Sequence, residues 1–567
     1  MSNIFEQRIK ANLARVPVWE RKTLADRWDD FVKRYRENEY IVTKEEKYSY
    51  GQTDQQINLL AKGLIKLGLK TKEHIGIIMA NYPVAVFLQF AVAKIGCVSI
   101  PFNYRMLAEE IKYVLSQSDT NCLITMDVFG NINYIEVLSK IIPEVFQGRQ
   151  AKSLPALRNI VVFSPQGKKY PETIDYNELL AMGNAVTDAE LIKVTQAVKD
   201  PDAIVNILYT SGTTGKPKGV MISHDMLWRK AYCSLLGRAI EEGRRILLSL
   251  PVYHIFALVE GVLAVTFVGG AIIMQVSWSP KEALEFIDEY RANDILCVPT
   301  MGLDLLNQLE GGNYDLTSLR AMYCAGAPAP VTLWERLIKE LGLEYLNTGY
   351  GMTETTSAPV QSPYDATVEQ IASRVGVVIP GGAAGLSEFG GKCFEYKTVD
   401  PISGKDLPPG AEGELACRGN TVTIGYYNKP EETAEVLGKD GWLRSGDIGI
   451  IHDDGYLELT GRSKEIYRVG GENVAPKEIE EEISKHPKVS QAYIVGVPDE
   501  RLGEVGMAFV VLKKNEQCSE KEIIQYCSGR VARFKVPKYV RFVRSEELPK
   551  TTTGKIQKFK LQEMGKS

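Results

Sequence analysis

Residues 209–220 read YTSGTTGKPKGV, a stretch of small, hydroxylated and glycyl residues carrying two lysines. Gly212, Gly215 and Gly219 let the backbone turn its N–H groups outward, as anion-binding loops require. Thr210, Ser211, Thr213 and Thr214 add hydroxyl donors, and Lys216 and Lys218 add positive charge. Such a loop fits a polyphosphate. It is not a Walker loop: only Thr213 and Thr214 separate Gly212 from Gly215, and Pro217 disfavours a helix through Lys216. A bare linker has no reason to gather these donors directly after the apolar run Ala203–Leu208.

Five further strings have the residue types of a site. LNTGYGMTET (346–355) sets glycines beside Thr353 and Glu354; CAGAPAP (324–330) is a turn of small residues; RSGDIG (444–449) offers Asp447 after a glycine. GRSKEIYRVGGEN (461–473) and PKTTTGKIQK (549–558) combine glycine with basic side chains. Singly, each has a plain structural reading. Glu354 suits a helix start, Lys555 suits a solvated surface, and His254 in the apolar run LPVYHIFAL (250–258) suits a satisfied core histidine.

The elements that must hold these strings follow from hydrophobic periodicity. Strands are expected at His74–Ala80, Cys97–Pro101, Cys122–Met126, Ile246–Leu250, Ala271–Met274 and Ile295–Val298. Helices are expected at Val84–Ile95, Leu107–Ser116, Ala283–Asn293 and Leu333–Glu340. This alternation predicts an α/β fold of parallel sheets covered by helices. Residues 381–396 are glycine-rich and aperiodic and read as a loop. A smaller α+β unit follows, with helices at Ile479–His486 and Lys521–Val531 and strands at Val489–Val497 and Ala508–Leu512.

A chain of 567 residues exceeds one ordinary hydrophobic core, so at least two domains are expected. A formal net charge of −4 and dispersed Lys and Arg argue against a nucleic-acid partner. Nine scattered cysteines without a C-x-x-C pair suit reduced thiols and a cytoplasmic location. The five histidines lack ligand spacing, which argues against a protein-built zinc site. The N-terminus lacks a secretory apolar region, the ending EMGKS is not a peroxisomal signal, and Ile255–Val276, broken by Glu260 and glycines, reads as buried core rather than a transmembrane segment.

In this order and at these separations, the strings resemble the acyl-adenylate-forming superfamily of acyl-CoA synthetases, luciferases and adenylation domains, over roughly residues 40 to 560. Within it, LPVYHIFAL together with VGGAIIM (268–274) is most similar to 4-coumarate and medium-chain acyl-CoA ligases. The resemblance implies a large N-terminal AMP-binding domain (1–461) and a small mobile C-terminal lid (462–567). It also implies ligation of a carboxylic acid to coenzyme A, with ATP and Mg²⁺, through an acyl-adenylate; a medium-chain fatty or aryl acid is expected. The 209–220 loop would hold the β- and γ-phosphates. Gly326, Ala327, Pro328, Tyr350 and Gly351 would border the adenine, and Asp447 and Arg462 would bind the ribose. Glu354 would hold Mg²⁺ and Thr353 would touch the α-phosphate. Lys555 would bridge the carboxylate and α-phosphate, and His254 would gate the acyl pocket. Lys464 would be the hinge about which the lid turns, bringing Gly470 and Gly471 to the pantetheine arm.

The resemblance further places Phe256, Glu260, Met301, Gly302, Ala325 and Gly349–Gly351 around the acyl group. Glu260 departs from the neutral residue usual there. An unpaired buried acid is costly, so a basic neighbour is expected rather than a role in holding substrate. The same scaffold also serves stand-alone acyl or aminoacyl adenylating enzymes and luciferase-like monooxygenases. An aminoacyl enzyme would carry an acid after the 250–256 strand, where His254-Ile255-Phe256 offers none, whereas a luciferase shares every motif. A non-catalytic nucleotide-binding regulator would be expected to lack Glu354 or Lys555, and both are present.

Overall fold

The computed structural model describes residues 2–210, 216–462, 465, 467–469, 472–474, 476–499, 501–550 and 556–566. It divides into two compact units, one of residues 1–395 and 418–441, the other of 396–417 and 442–567.

The first unit is built on two seven-stranded sheets. One runs Tyr345–Asn347, Ala321–Cys324, Asp294–Cys297, Arg245–Leu248, Ala271–Met274, Glu39–Val42, Lys47–Ser49, parallel except at its last pair. The other runs Lys218–Ser223, Ile204–Thr210, Val98–Pro101, His74–Ile78, Cys122–Met126, Asn159–Phe163, Ile174–Asp175. It is parallel except where Ile204–Thr210 and Lys218–Ser223 form an antiparallel pair. The inner strands are largely apolar and buried on both faces, as parallel sheets under helices require, whereas the edge strand Lys47–Ser49 is partly exposed. Expected and observed strands coincide at Cys122–Met126 and Ala271–Met274 and differ by a few residues elsewhere.

The expected helix Ala283–Asn293 starts earlier, at Pro280. Ser279 caps it, its hydroxyl accepting from Glu282 N–H, and Pro280 takes the first turn, where its missing N–H costs nothing. Helix His224–Gly237 is buried almost all round, so it packs inside the unit rather than across its surface. Ile255–Val276 is indeed core: a short helix Ile255–Ala257, a π-helical turn Leu258–Leu263, a 3₁₀ turn Ala264–Val268 and a buried strand. Among the described residues no helix is long and apolar enough to cross a membrane. Residues 381–396 are largely irregular, with 3₁₀ turns at Gly382–Ala384 and Ser387–Phe389, and the strand Phe394–Val399 begins at their end.

In the second unit, Val489–Asp499 and Gly503–Leu512 form a long antiparallel pair, joined by Tyr467–Val469, Glu472–Val474 and a parallel Tyr539–Phe542. Helices Pro476–Ser484, Glu520–Cys527 and Lys558–Lys566 complete it. The antiparallel strands Leu443–Ile451 and Leu457–Arg462 belong to this same unit. Lys477 Nζ donates to the Leu459 carbonyl, tying helix Pro476–Ser484 back to Leu457–Arg462. The packing boundary therefore precedes the expected functional boundary at 461/462.

Candidate active site

The phosphate-loop residues Ser211, Gly212, Thr213, Thr214 and Gly215 lie outside the described residues, as do Lys464, Gly470, Gly471 and Lys555. The frame of the loop is described. Thr210 pairs with Lys218, and Tyr209 with Gly219, so the antiparallel pair brings both ends of the loop together at one strand end. A third segment joins them: Met221 N–H donates to Gly425 O (3.1 Å) and Tyr427 N–H to Gly219 O (2.8 Å). Lys216 is exposed, its ammonium 5.1 Å from the Tyr113 ring centroid, and Lys218 stands 4.9 Å from that of Tyr426. Aromatic faces attract cations and so steady these side chains.

Tyr426 connects this cation to the acid. Its hydroxyl donates to Glu354 Oε1 at 2.9 Å, within a chain Lys218–Tyr426–Glu354. Burial, and then the Glu354 charge, push the Tyr426 phenol well above its ordinary range, so it stays a donor. Tyr426 was not singled out from sequence. The tract GYYNKP (425–430) offers only the hint of a glycine beside two tyrosines.

Thr353 and Glu354 sit in a 3₁₀ turn between the strands Gly349–Met352 and Ser357–Gln361. Thr423 N–H donates to Glu354 O (2.8 Å), and Thr356 Oγ1 to Thr421 O (2.8 Å), so residues 421–426 clamp one side of the turn. Gly351 is required by close approach: a Cβ there would lie 1.9 Å from Ser357 O. Tyr350, on the same strand, is buried. Gly326 has φ +92°, favourable only to glycine, and turns the chain out of the strand Ala321–Cys324. Gly326, Ala327 and Pro328 are exposed there.

Glu354 is a half-buried carboxylate next in sequence to Thr353, with one oxygen accepting from a neutral phenol. This is a hard-oxygen donor set of the kind Mg²⁺ takes alongside phosphates. The residues present fit that ion.

His254 is half-buried and caps the helix Ile255–Ala257, its Nδ1 accepting from Phe256 N–H at 3.2 Å. A neutral ring in this pose carries its proton on Nε2. Nearby, Phe256 packs edge-on against Tyr323 with ring centroids 5.3 Å apart. Met301 and Ala325 are buried, and a Cβ on Gly302 would touch Leu337.

Glu260 has the basic neighbour expected of it. It is fully buried, 2.8 Å from Lys230 Nζ, and accepts from Ser357 Oγ at 2.8 Å and from Gln361 Nε2 at 3.4 Å.

In the second unit, Asp447 and Arg462 are direct cross-strand partners, Arg462 Nε lying 2.9 Å from Asp447 Oδ1. Asp447 N–H also donates to Ser445 Oγ at 3.1 Å. The two side chains thereby form one ion pair across adjacent strands.

Histidine spacing misses one cluster, His486, Cys518 and Glu522, whose ligand atoms lie within 4.8 Å of one another. It is poorly made for a cation. Lys488 Nζ already holds Glu522 at 2.9 Å, and His486 Nδ1 accepts from Lys488 N–H at 3.3 Å, so two of the three would-be ligands are already engaged. Among the described residues none of the nine cysteines is in a disulfide.

Known proteins with this architecture are numerous. The family described as AMP-binding enzyme matches residues 28–427, and its C-terminal domain matches 478–555. The YngI protein of Bacillus subtilis (strain 168), named by inference as an acyl-CoA synthetase, is 34% identical over 521 residues, covering 91% of this chain and 92% of its own. A mitochondrial medium-chain acyl-CoA ligase of Danio rerio, ACSF2, is 32% identical over 94% of this chain and 86% of its own. Among solved structures, ATP-bound MatB from Rhodopseudomonas palustris superposes with a TM-score of 0.80 at 26% identity, over 95% of this chain and 99% of its own. A fatty acyl CoA synthetase of Mycobacterium tuberculosis gives 0.71 at 27% identity, over 96% and 98%. With matching motifs, two matching family domains and relatives of this similarity, the chain belongs to the AMP-binding enzyme family, as an AMP-forming acid–thiol ligase of the acyl-adenylate-forming superfamily.

Proposed function

We propose that this ligase activates a medium-chain aliphatic or aryl carboxylic acid and transfers it to coenzyme A. The carrying observation is the Lys218–Tyr426–Glu354 chain, which links the end of the phosphate loop to the candidate metal acid. The apolar neighbourhood of Phe256, Met301 and Ala325 supports an acid with an apolar tail, and so does the likeness to a medium-chain ligase.

A carboxylate resists attack by thiols because its oxide is too basic to leave. In the first half-reaction a carboxylate oxygen bonds to the α-phosphorus of ATP and pyrophosphate departs. In the second, the thiolate sulfur bonds to the acyl carbon and AMP departs with its electron pair. Thr210, the 211–215 loop, Lys216 and Lys218 hold the β- and γ-phosphates, and Thr353 contacts the α-phosphate. Glu354 would hold Mg²⁺, which supplies neutralisation of phosphate charge when bound. Asp447 accepts from the ribose hydroxyls, and Arg462, 2.9 Å from that carboxylate, orients it and makes a second ribose contact. Gly326, Ala327, Pro328, Tyr350 and Gly351 border the adenine. Lys555 brings positive charge to the α-phosphate as the carboxylate attacks, and His254 stands at the acyl entrance. Rotation of the lid (462–567) about Lys464 then exchanges Lys555 for Gly470 and Gly471, beside which the pantetheine arm can pass.

A pyrophosphate-release screen tests this reading, using carboxylic acids graded in length and aromaticity, each with and without coenzyme A. Acid-dependent release, highest with medium-chain or aryl acids and faster with the thiol, is expected. Release confined to short polar acids, or indifferent to the thiol, would reject it.

A further inference from the structure

The turn that carries Thr353 and Glu354 is strained. Thr356 (φ +53°) and Ser357 (φ +87°) are consecutive non-glycine residues in the left-handed region, unfavourable for β-branched and hydroxylated side chains alike. Such a conformation persists only where its surroundings impose it. Residues 421–426 do so from one side. A second support is a buried ionic network that the reaction itself does not use.

Its centre is Glu260, on the π-helical turn Leu258–Leu263, a wide turn of the kind often found near functional sites. Its carboxylate takes the Ser357 hydroxyl (2.8 Å), the Lys230 ammonium (2.8 Å) and the Gln361 amide (3.4 Å). Its own carbonyl accepts from Arg238 Nη1 at 2.6 Å, and Lys230 also donates to Ser234 Oγ one turn along its helix. Glu260 and Lys230 are 0% and 1% exposed. A pair so buried recovers little net stability over apolar residues of the same volume, while its geometry is highly specified. What it specifies here is the place of Ser357, three residues after Glu354.

We infer that Glu260 and Lys230 are positioning residues: through Ser357 they hold the Thr353–Ser357 turn in its strained form and so set the reach of Glu354 toward metal and phosphate. This rests on the function proposed above for Glu354. The logic is that of outer-shell partners of a metal ligand, whose loss typically costs about 10- to 100-fold in affinity or activity.

Ser357→Ala removes the anchoring hydroxyl alone and leaves the buried pair in place. In the nucleotide-free full chain, the backbone amides of 353–357 should exchange hydrogen about tenfold faster than in wild type. Acid-dependent pyrophosphate release should fall about tenfold with a raised half-saturating Mg²⁺ concentration, while thioester formation from supplied acyl-adenylate is unchanged. The double variant Lys230→Met/Glu260→Gln neutralises the network but keeps an amide oxygen for Ser357, and should restore exchange and Mg²⁺ response relative to Glu260→Ala. Wild-type exchange and Mg²⁺ response in Ser357→Ala would overturn the inference. Should wild type release no pyrophosphate with any acid, the ligase reading fails, yet the exchange measurement still decides whether Ser357 holds the turn.

Discussion

Glu354 and Lys218 are far apart in sequence and meet at one phenol. Tyr426 donates to the acid and lies under the ammonium, and its raised pKa keeps the proton that makes this link. The motif residues were legible because a run such as TSGTTGKPKG has no use in a core. Tyr426 was not, since a tyrosine after glycine is as well suited to packing; only the pairing of 425–427 onto 219–221 gives it a role. Glu260 was legible in part, because burial of an acid demands a cation, but Lys230 as that cation is a tertiary fact. The division of labour at this scale is testable at Lys555. Lys555→Ala should lower acyl-adenylate formation on the order of 10²- to 10³-fold while sparing thioester formation from supplied acyl-adenylate. Equal loss of both half-reactions, measured by pyrophosphate release and by thioester assay, would refute it.

Many strands and helices of the first unit were readable as elements because apolar runs buried on both faces leave a clear pattern, whereas helices Tyr50–Lys66 and His224–Gly237 were not singled out. The ends of the readable ones were less clear. Helix Pro280–Tyr290 starts where Ser279 and Pro280 dictate, a local signal that periodicity alone overlooks. Helix His224–Gly237, which carries Lys230, makes a pH prediction at this scale. His224 Nδ1 accepts from Leu24 N–H at 3.0 Å, and burial lowers its pKa from 6.5 to about 4, against a smaller opposing pull from Asp200. Between those values the unfolded chain takes up a proton that the folded chain refuses, so stability falls as pH drops from 6.5 to 4. The whole effect amounts to about 3 kcal/mol. His224→Asn keeps an acceptor for Leu24 but does not titrate, so its urea midpoint should fall less than that of wild type between pH 7.5 and pH 4. Parallel profiles would show that His224 is not the buried neutral base.

As a whole the chain is two compact units, the second assembled from 396–417 and 442–567. The expected lid, 462–567, is smaller than that packing unit, so the proposed rotation about Lys464 would divide residues that pack together here, including Lys477 on Leu459. Replacing Lys464 by Pro should trap one orientation, leaving acyl-adenylate formation near wild type and slowing thioester formation at least tenfold. Unimpaired thioester formation in single-turnover assays would place the hinge elsewhere, for which the packing boundary at 441/442 is the next position to substitute.

From the residue order came the family, the reaction class and nearly every candidate side chain, because phosphate, ribose and metal each demand particular atoms on particular short strings. Tertiary structure decided what those strings rest upon: the meeting of Lys218 and Glu354 at Tyr426, the pairing of Arg462 with Asp447, and the strained turn propped by Ser357 on Glu260 and Lys230. The physical reason is range. A loop's chemistry is written in adjacent residues, whereas its rigidity comes from hydrogen bonds and buried charges that chain folding brings together from distant positions.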